Sequence, residues 1–263
     1  MSELEVLRAL LLVSVIVAPL GTRLLGELPS GWHVAHGVSV AAVGLGLFVL
    51  PWASTLWPVF CAANLAVFLW SRRRTLLTLP ALAGGVPLAF SLVAATWIVG
   101  GTNDLGILGY GPHFSFYAAL HGNVLGWMLV GAIAALATRE GPRQRLYAIT
   151  VFVCFVSFLL VAIGIDQVRA IKPVGVAGLT LAIPLAQLAF LAEVRSHRAA
   201  FTAGLVSFLG LVCTLVLAWQ NELAAPTLGN VAGVRSMVSV HGVVNALVTA
   251  PAMMLAVYLR DRR

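Results

Sequence analysis

The sequence predicts an all-α fold: a polytopic integral membrane helix bundle of about nine transmembrane helices, with eight as the alternative count. Three observations predict it. The chain of 263 residues is 60% hydrophobic and only 10% charged, with a mean hydropathy of +1.00; a soluble domain carries about 25% charged residues and needs them to cover its surface. The apolar residues fall into runs of roughly 17–25 positions, the length a helix needs to cross a bilayer. Finally, the basic residues collect between alternate runs, the pattern of cytoplasmic loops. The net charge of +7 then belongs to membrane loops, and nucleic acid is excluded as a partner in favour of the lipid bilayer. No segment reads as a separate soluble unit, so residues 1–263 are expected to form a single transmembrane domain.

The first helix is expected over Ala9–Leu20, ending near Gly21-Thr22-Arg23; Glu3 and Glu5 ahead of it argue against the basic start of a secretory signal. Two short spans follow, Val34–Leu50 and Trp52–Trp70, separated by Pro51, which disfavours helix at its predecessor. Their length, near the lower limit for a crossing, leaves a re-entrant hairpin as the other reading. Arg72-Arg73-Arg74 ends the third span. The fourth, Leu76–Val99, contains Pro80 and Pro87 and should kink. A polar loop, Gly100–Gly111, holds Asp104 and leads into the fifth helix, Pro112–Thr138, where proline suits the first turn.

The sixth span covers Leu146–Ile165 and ends in Asp166-Gln167-Val168-Arg169. The seventh is Val174–Leu191 with Pro184 inside, and the eighth Ala199–Trp219, closing on Gln220-Asn221-Glu222. After a loop with Pro226, Gly229 and Gly233, the ninth runs from Met237 to Leu259. With nine spans, Arg23, Arg72, Arg73, Arg74, Arg139, Arg143, Arg145, Arg195, Arg198, Arg260, Arg262 and Arg263 share one side. Arg8, Arg169, Lys172 and Arg235 share the other, a division of 12 against 4 of the 16 basic residues. The N-terminus is therefore expected outside and the C-terminus in the cytoplasm. Trp52, Trp57, Trp70, Trp97 and Trp219 lie near helix ends, as in an aromatic belt. Cys61, Cys154 and Cys213 fall in three different runs without CxxC spacing, which predicts packing roles and neither a disulfide nor a zinc site.

Against this apolar background the polar residues stand out. His113, Tyr117 and His121 are spaced four apart, a step that drifts only about 40° around a helix. His241 and Asn245, also four apart, open the last span. Histidine within a membrane is costly and usually faces the bundle interior or a water-filled cavity. With the predicted topology, His113, Tyr117, His121, His241 and Asn245 lie in the outer half, where the sixth helix delivers Asp166. Together they are the candidate substrate-binding residues; Asp166 could pair with Arg169 or with a histidine. His33 and His36 fall at the opposite, inner end of the second helix. Ala118, Gly122 and Gly126 form a small-xxx-small stripe for close helix approach, with Gly242 in the same role on the last helix. These stripes suggest direct contact between helices five and nine.

The segments so placed resemble the YndJ-like family of bacterial polytopic membrane proteins. That family has a His-Gly-x-x-Asn-Ala motif in its last helix, intact here as His241-Gly242-Val243-Val244-Asn245-Ala246 and preceded by Met237. Its mid-chain His-Phe-His-Tyr-Ala-Gly type motif is matched in part by His113-Phe114-Ser115-Phe116-Tyr117-Ala118, with Ser115 in place of the second histidine; His121, two turns from His113, could take that role. The opening Val17-Ala18-Pro19-Leu20-Gly21-Thr22-Arg23 is similar as well. The resemblance implies a multi-pass protein of the bacterial inner membrane and a transporter-type function.

Three functional classes compete. The leading one is transport or binding of a small molecule in the polar pocket. A membrane enzyme acting on a lipid or isoprenoid by His/Asp acid–base chemistry is the alternative; histidine suits it by its near-neutral pKa, but no nucleophile constellation and no Asp-rich diphosphate–magnesium motif accompany it. A metal- or haem-binding subunit is the third, with His121 and His241 the only metal candidates. No cofactor is predicted.

Overall fold

A computed structural model describes residues 2–223, 229–231 and 233–262. Pro226 and Arg263 lie outside them. Nine helices form among the described residues: α1 (Glu3–Leu25), α2 (Trp32–Phe48), α3 (Pro51–Ser71), α4 (Leu79–Thr102), α5 (Pro112–Ala137), α6 (Gln144–Asp166), α7 (Arg169–Val194), α8 (Arg198–Leu223) and α9 (Met237–Arg260). Eight are long and apolar enough to cross a membrane, and α2, at 17 residues, is the shorter apolar helix. A two-residue hairpin, β1 (Asn230–Val231) with β2 (Val234–Arg235), precedes α9. Gly233 sits in its turn at φ +81°, a conformation glycine adopts without strain.

Helix α1 extends past its apolar run because local chemistry caps it. Ser2 and Glu5 form a capping box: Ser2 Oγ accepts from the Glu5 amide (3.3 Å) and the Ser2 amide donates to Glu5 Oε2 (2.7 Å). Helix α1 therefore starts at Glu3, six residues earlier than hydropathy places it. At its other end Pro19 is absorbed in a 3₁₀ step, Ala18–Gly21, and the helix continues to Leu25. Pro80 proves to lie in the first turn of α4, where a missing amide hydrogen costs nothing; only Pro87 is interior.

Helices α2 and α3 form an antiparallel pair. Trp32 Nε1 at the start of α2 donates to Asn64 Oδ1 in α3 (2.7 Å), and His36 Nε2 reaches the Val15 carbonyl of α1 (3.2 Å). Their connection meets the far end of the 24-residue α4: Ser54 Oγ is 2.7 Å from Thr102 Oγ1, and Asn103 Nδ2 donates to the Pro51 carbonyl (3.2 Å). The pair thus reaches as far as α4 does.

Helix α5 is the axis of the bundle. In its most apolar 18-residue window 89% of residues are buried, against 33% for α6, α7 and α8. Its glycines and alanines make this feasible, because a helix ringed by neighbours must let their backbones approach. Gly122 faces Ala94 and Gly126 faces Phe90, both on α4. The stripe therefore packs on α4, and not on α9 as expected. Gly242 lies against Leu10 of α1 at ordinary contact distance. The outer helices present Leu181, Leu185, Leu209 and Val216 outward, the apolar surface a bilayer solvates. Trp57 departs from the expected belt: it is fully buried beside Phe60 and Trp127, while Trp52 and Trp70 are exposed. Cys61 and Cys154 are buried and Cys213 is exposed, all as free thiols.

Arg72, Arg139, Arg143 and Arg260 anchor one end of the bundle. Arg72 and Arg139 donate to the Leu25 and Leu24 carbonyls (both 3.3 Å), and Arg139 pairs with Asp261. Burial lowers the Arg139 pKa, and the carboxylate of Asp261 opposes that shift. Glu193 joins three helices there, accepting from Tyr147 Oη (2.9 Å) and facing Arg143 and Arg260 at 3.5 and 3.6 Å.

Candidate functional site

The opposite end carries the candidate residues. Pro112 opens α5 and leaves His113 exposed in its first turn. One turn further, Tyr117 Oη donates to Glu3 Oε1 (2.8 Å) and accepts from Arg235 Nη2 (2.8 Å). Arg235, delivered by β2, grips Glu3 through Nε to Oε2 (3.0 Å) and Nη2 to Oε1 (2.6 Å), the forked geometry that suits guanidinium to carboxylate. Glu3 in turn raises the Arg235 pKa above the ordinary arginine range. Tyr117 is therefore engaged in a clasp that ties α1, α5 and the β-hairpin together. Neither Glu3 nor Arg235 was singled out from the sequence, because nothing local marks two residues that meet across nearly the whole chain.

The two deeper histidines come together one turn below this clasp. Their ring centres are 6.5 Å apart with planes inclined by 30°. His121 Nδ1 lies 2.8 Å from the Tyr117 carbonyl of its own helix, and His241 Nδ1 lies 3.0 Å from the Thr214 carbonyl of α8. A carbonyl only accepts, so each Nδ1 carries a hydrogen, and in the neutral imidazole each Nε2 then keeps its lone pair. Neither Nε2 has a hydrogen-bond partner among the described residues. His121 is exposed and His241 half-buried.

Both helices leave α geometry at these histidines. Helix α5 is π-helical over His121–Leu129, and α9 over Met237–Gly242 and Asn245–Thr249. A π turn widens the helix and frees carbonyls from the regular ladder, which in an apolar surrounding demands other partners; such segments recur at functional sites. Here one such carbonyl, that of Thr249, meets a polar side chain of a neighbouring helix, and polar side chains of the π segments bond to neighbouring helices as well. Ser207 Oγ donates to the Thr249 carbonyl (2.7 Å) while accepting from Gln187 Nε2 (2.8 Å). The Thr214 hydroxyl shares its hydrogen between the Leu211 carbonyl (2.9 Å) and Asn245 Oδ1 (3.1 Å). On α5, Asn123 Nδ2 donates to Ser14 Oγ (3.0 Å) and Trp127 Nε1 to Thr22 Oγ1 (3.2 Å). Asn245 thus supports the site from behind.

Asp166 stands elsewhere. It is exposed at the end of α6, accepts from Tyr110 Oη (3.0 Å) and touches the Gln167 amide, and neither Arg169 nor a histidine is among its partners. Its hydrogen bond raises the Tyr110 pKa. Ala118 is half-buried between Tyr117 and His121. Among the described residues, no group of three or more His, Cys, Asp and Glu side chains is arranged to hold a metal ion. Two shallow apolar grooves, of about 590 and 540 Å³, lie away from the histidines, one between α7 and α8 around Trp219 and one between α8 and α9 beside Arg198.

Neither the curated proteins nor the solved structures contain a match to the chain. A protein-family model described as YndJ-like protein matches residues 8–249. The match covers most of the sequence, all three π-helical segments included, and the chain belongs to the YndJ-like family.

Proposed function

We propose that this protein binds a small molecule at the facing histidines His121 and His241 and moves it across the bacterial inner membrane. In this reading residues 1–263 form one transmembrane domain in which all nine helices cross. The N-terminus lies outside, and the arginine-rich end, with Arg72, Arg139, Arg143 and Arg260, faces the cytoplasm. The division of basic residues between the two ends supports the orientation. The reach of α2 and α3 to the far end of α4 supports two crossings there in place of a re-entrant loop.

A single observation carries the binding site: two π-helical segments from different helices meet at two histidines whose Nε2 lone pairs have no partner among the described residues. Contacts that hold the rings in place use the Nδ1 atoms alone and leave both Nε2 atoms available to a ligand. His113, at the mouth, and Tyr117, in the clasp, would line the way in, with Asn245 fixing the far wall. Acid–base catalysis is the weaker reading, because Asp166 pairs with Tyr110 and brings no carboxylate to the imidazoles.

The test is thiol accessibility in a cysteine-free background carrying one cysteine at position 121 or 241. In oriented vesicles, a membrane-impermeant maleimide should label these positions from the outside, and in a transporter also from the cytoplasmic side in a fraction of molecules. Labelling from the outside alone reduces the reading to a binding protein. Labelling from neither side, with both variants folded, sinks it.

A further inference from the structure

Resting on that reading of the histidine pair, we propose that His121 and His241 form a two-coordinate site for a soft monovalent metal ion of the copper(I) class, bound as cargo through the two Nε2 atoms. Anchoring is the first argument. Histidines that ligate metals almost always donate their other ring N–H to a carbonyl or carboxylate, which fixes the tautomer and the ring orientation. Both histidines do so here, to the Tyr117 and Thr214 carbonyls at 2.8 and 3.0 Å.

Spacing is the second. A direct imidazole–imidazole hydrogen bond, with nitrogens about 2.8 Å apart, would place the ring centres about 5 Å apart. At 6.5 Å the rings are too distant for that. An imidazole nitrogen lies about 1.1 Å from its ring centre and a bound metal about 2.0 Å beyond it, so an ion in line between two rings sets their centres about 6.2 Å apart. The observed separation lies within a few tenths of an ångström of that value and so leaves room for a near-linear bridge once both Nε2 atoms turn to the ion, whereas a tetrahedral angle at the metal would draw the centres to about 5 Å.

Ligand count is the third. Zinc seeks four ligands, and calcium or magnesium six or more, mostly oxygens. No third histidine, cysteine or carboxylate joins the pair among the described residues. A d¹⁰ monovalent ion is satisfied by two neutral imidazoles in line, and imidazole is an accepted copper ligand. Binding involves no electron transfer, and from the two neutral imidazoles it displaces no proton.

Silver(I), a redox-inert analogue of copper(I), is the probe. The full-length protein with Cys213→Ser, which removes the exposed thiol, is titrated in detergent and followed by native mass spectrometry and by the ¹⁵N signals of the histidine rings. One silver ion per chain is expected, with both Nε2 signals shifted and affinity lowered by more than about 10–100-fold in His121→Ala and in His241→Ala. His121→Gln and His241→Gln serve where an alanine variant loses its thermal transition. No uptake by the parent, or equal uptake by the histidine variants through methionine or buried cysteine, overturns the proposal. The accessibility experiment separates the two failures. A reachable pair that takes no silver ends the metal assignment alone, and an unreachable pair ends the binding site as well.

Discussion

Replacing Gly122 by alanine probes the contact on which the position of His121 depends. A methyl carbon built on Gly122 would stand 2.8 Å from Ala94 Cβ and 3.2 Å from Ala94 Cα, where carbon atoms in comfortable contact are about 3.5–4.0 Å apart. Because backbone of α4 is involved, no side-chain rotation relieves the clash. The two helices must part by up to about 1 Å, and overpacking of that kind costs about 1–3 kcal/mol. Opposing it is the gain from alanine over glycine in a helix, up to about 1 kcal/mol. Gly37, exposed in α2 with nothing within 4 Å of its virtual Cβ, reports that gain alone, so Gly37→Ala is the reference. Thermal unfolding of detergent-solubilised protein should place Gly122→Ala below Gly37→Ala by a few degrees or more, at roughly 2–4 °C per kcal/mol. Adding Ala94→Gly removes the 2.8 Å neighbour and should recover part of the loss. If Gly122→Ala unfolds no earlier than Gly37→Ala, α4 and α5 are not in the backbone contact described, and the reasoning that seats His121 fails with it.

Three further outcomes follow from the same geometry. Arg235→Ala should destabilise more than Glu3→Gln, because the side chain of Glu3 is 17% exposed and that of Arg235 60%. The first change strands a carboxylate with little water, while the second leaves a cation that water can solvate; the order of thermal midpoints checks it, and equal midpoints would place the clasp fully in solvent. Trp32→Phe leaves the buried Asn64 Oδ1 without its 2.7 Å donor and should cost about 1–3 kcal/mol, part of which Asn64→Leu restores in the same background, since removing both partners is milder than orphaning one. Tyr147→Phe takes one of the donors from Glu193 but leaves Arg143 and Arg260 facing it, so a loss of only about 1 kcal/mol is expected, read from the same transitions.

Much of the bundle was legible because hydropathy and charge alternation act along the chain. Each apolar run became a helix. The misjudged boundaries were those set by caps: Ser2 and Glu5 carry α1 outward, and Pro80 starts α4 where it was expected to bend it. Within the site, His121 and His241 could be picked out because a titratable ring in an apolar run is conspicuous. Their meeting depends on a departure from 3.6-residue periodicity that no residue pattern announces, since π turns arise from how α5 and α9 pack. Tyr117 was conspicuous too, but its partners Glu3 and Arg235 look like ordinary end-of-helix charges until the hairpin folds back. Asp166 pairs with Tyr110 and not with Arg169 or a histidine, because a helix end fixes depth in the membrane and not direction around the helix.

The clasp also constrains how the protein is made. Glu3 leaves the ribosome 232 positions ahead of Arg235. Helix α1 must therefore wait in the bilayer, its carboxylate without the guanidinium, until α2 to α8 have been made. The histidine pair is completed at the same late moment, when α9 arrives beside α5. A nascent chain stalled before α9 would lack the histidine pair and leave bare the α1–α5 surface that α9 covers, a surface by which quality control could recognise an unfinished molecule.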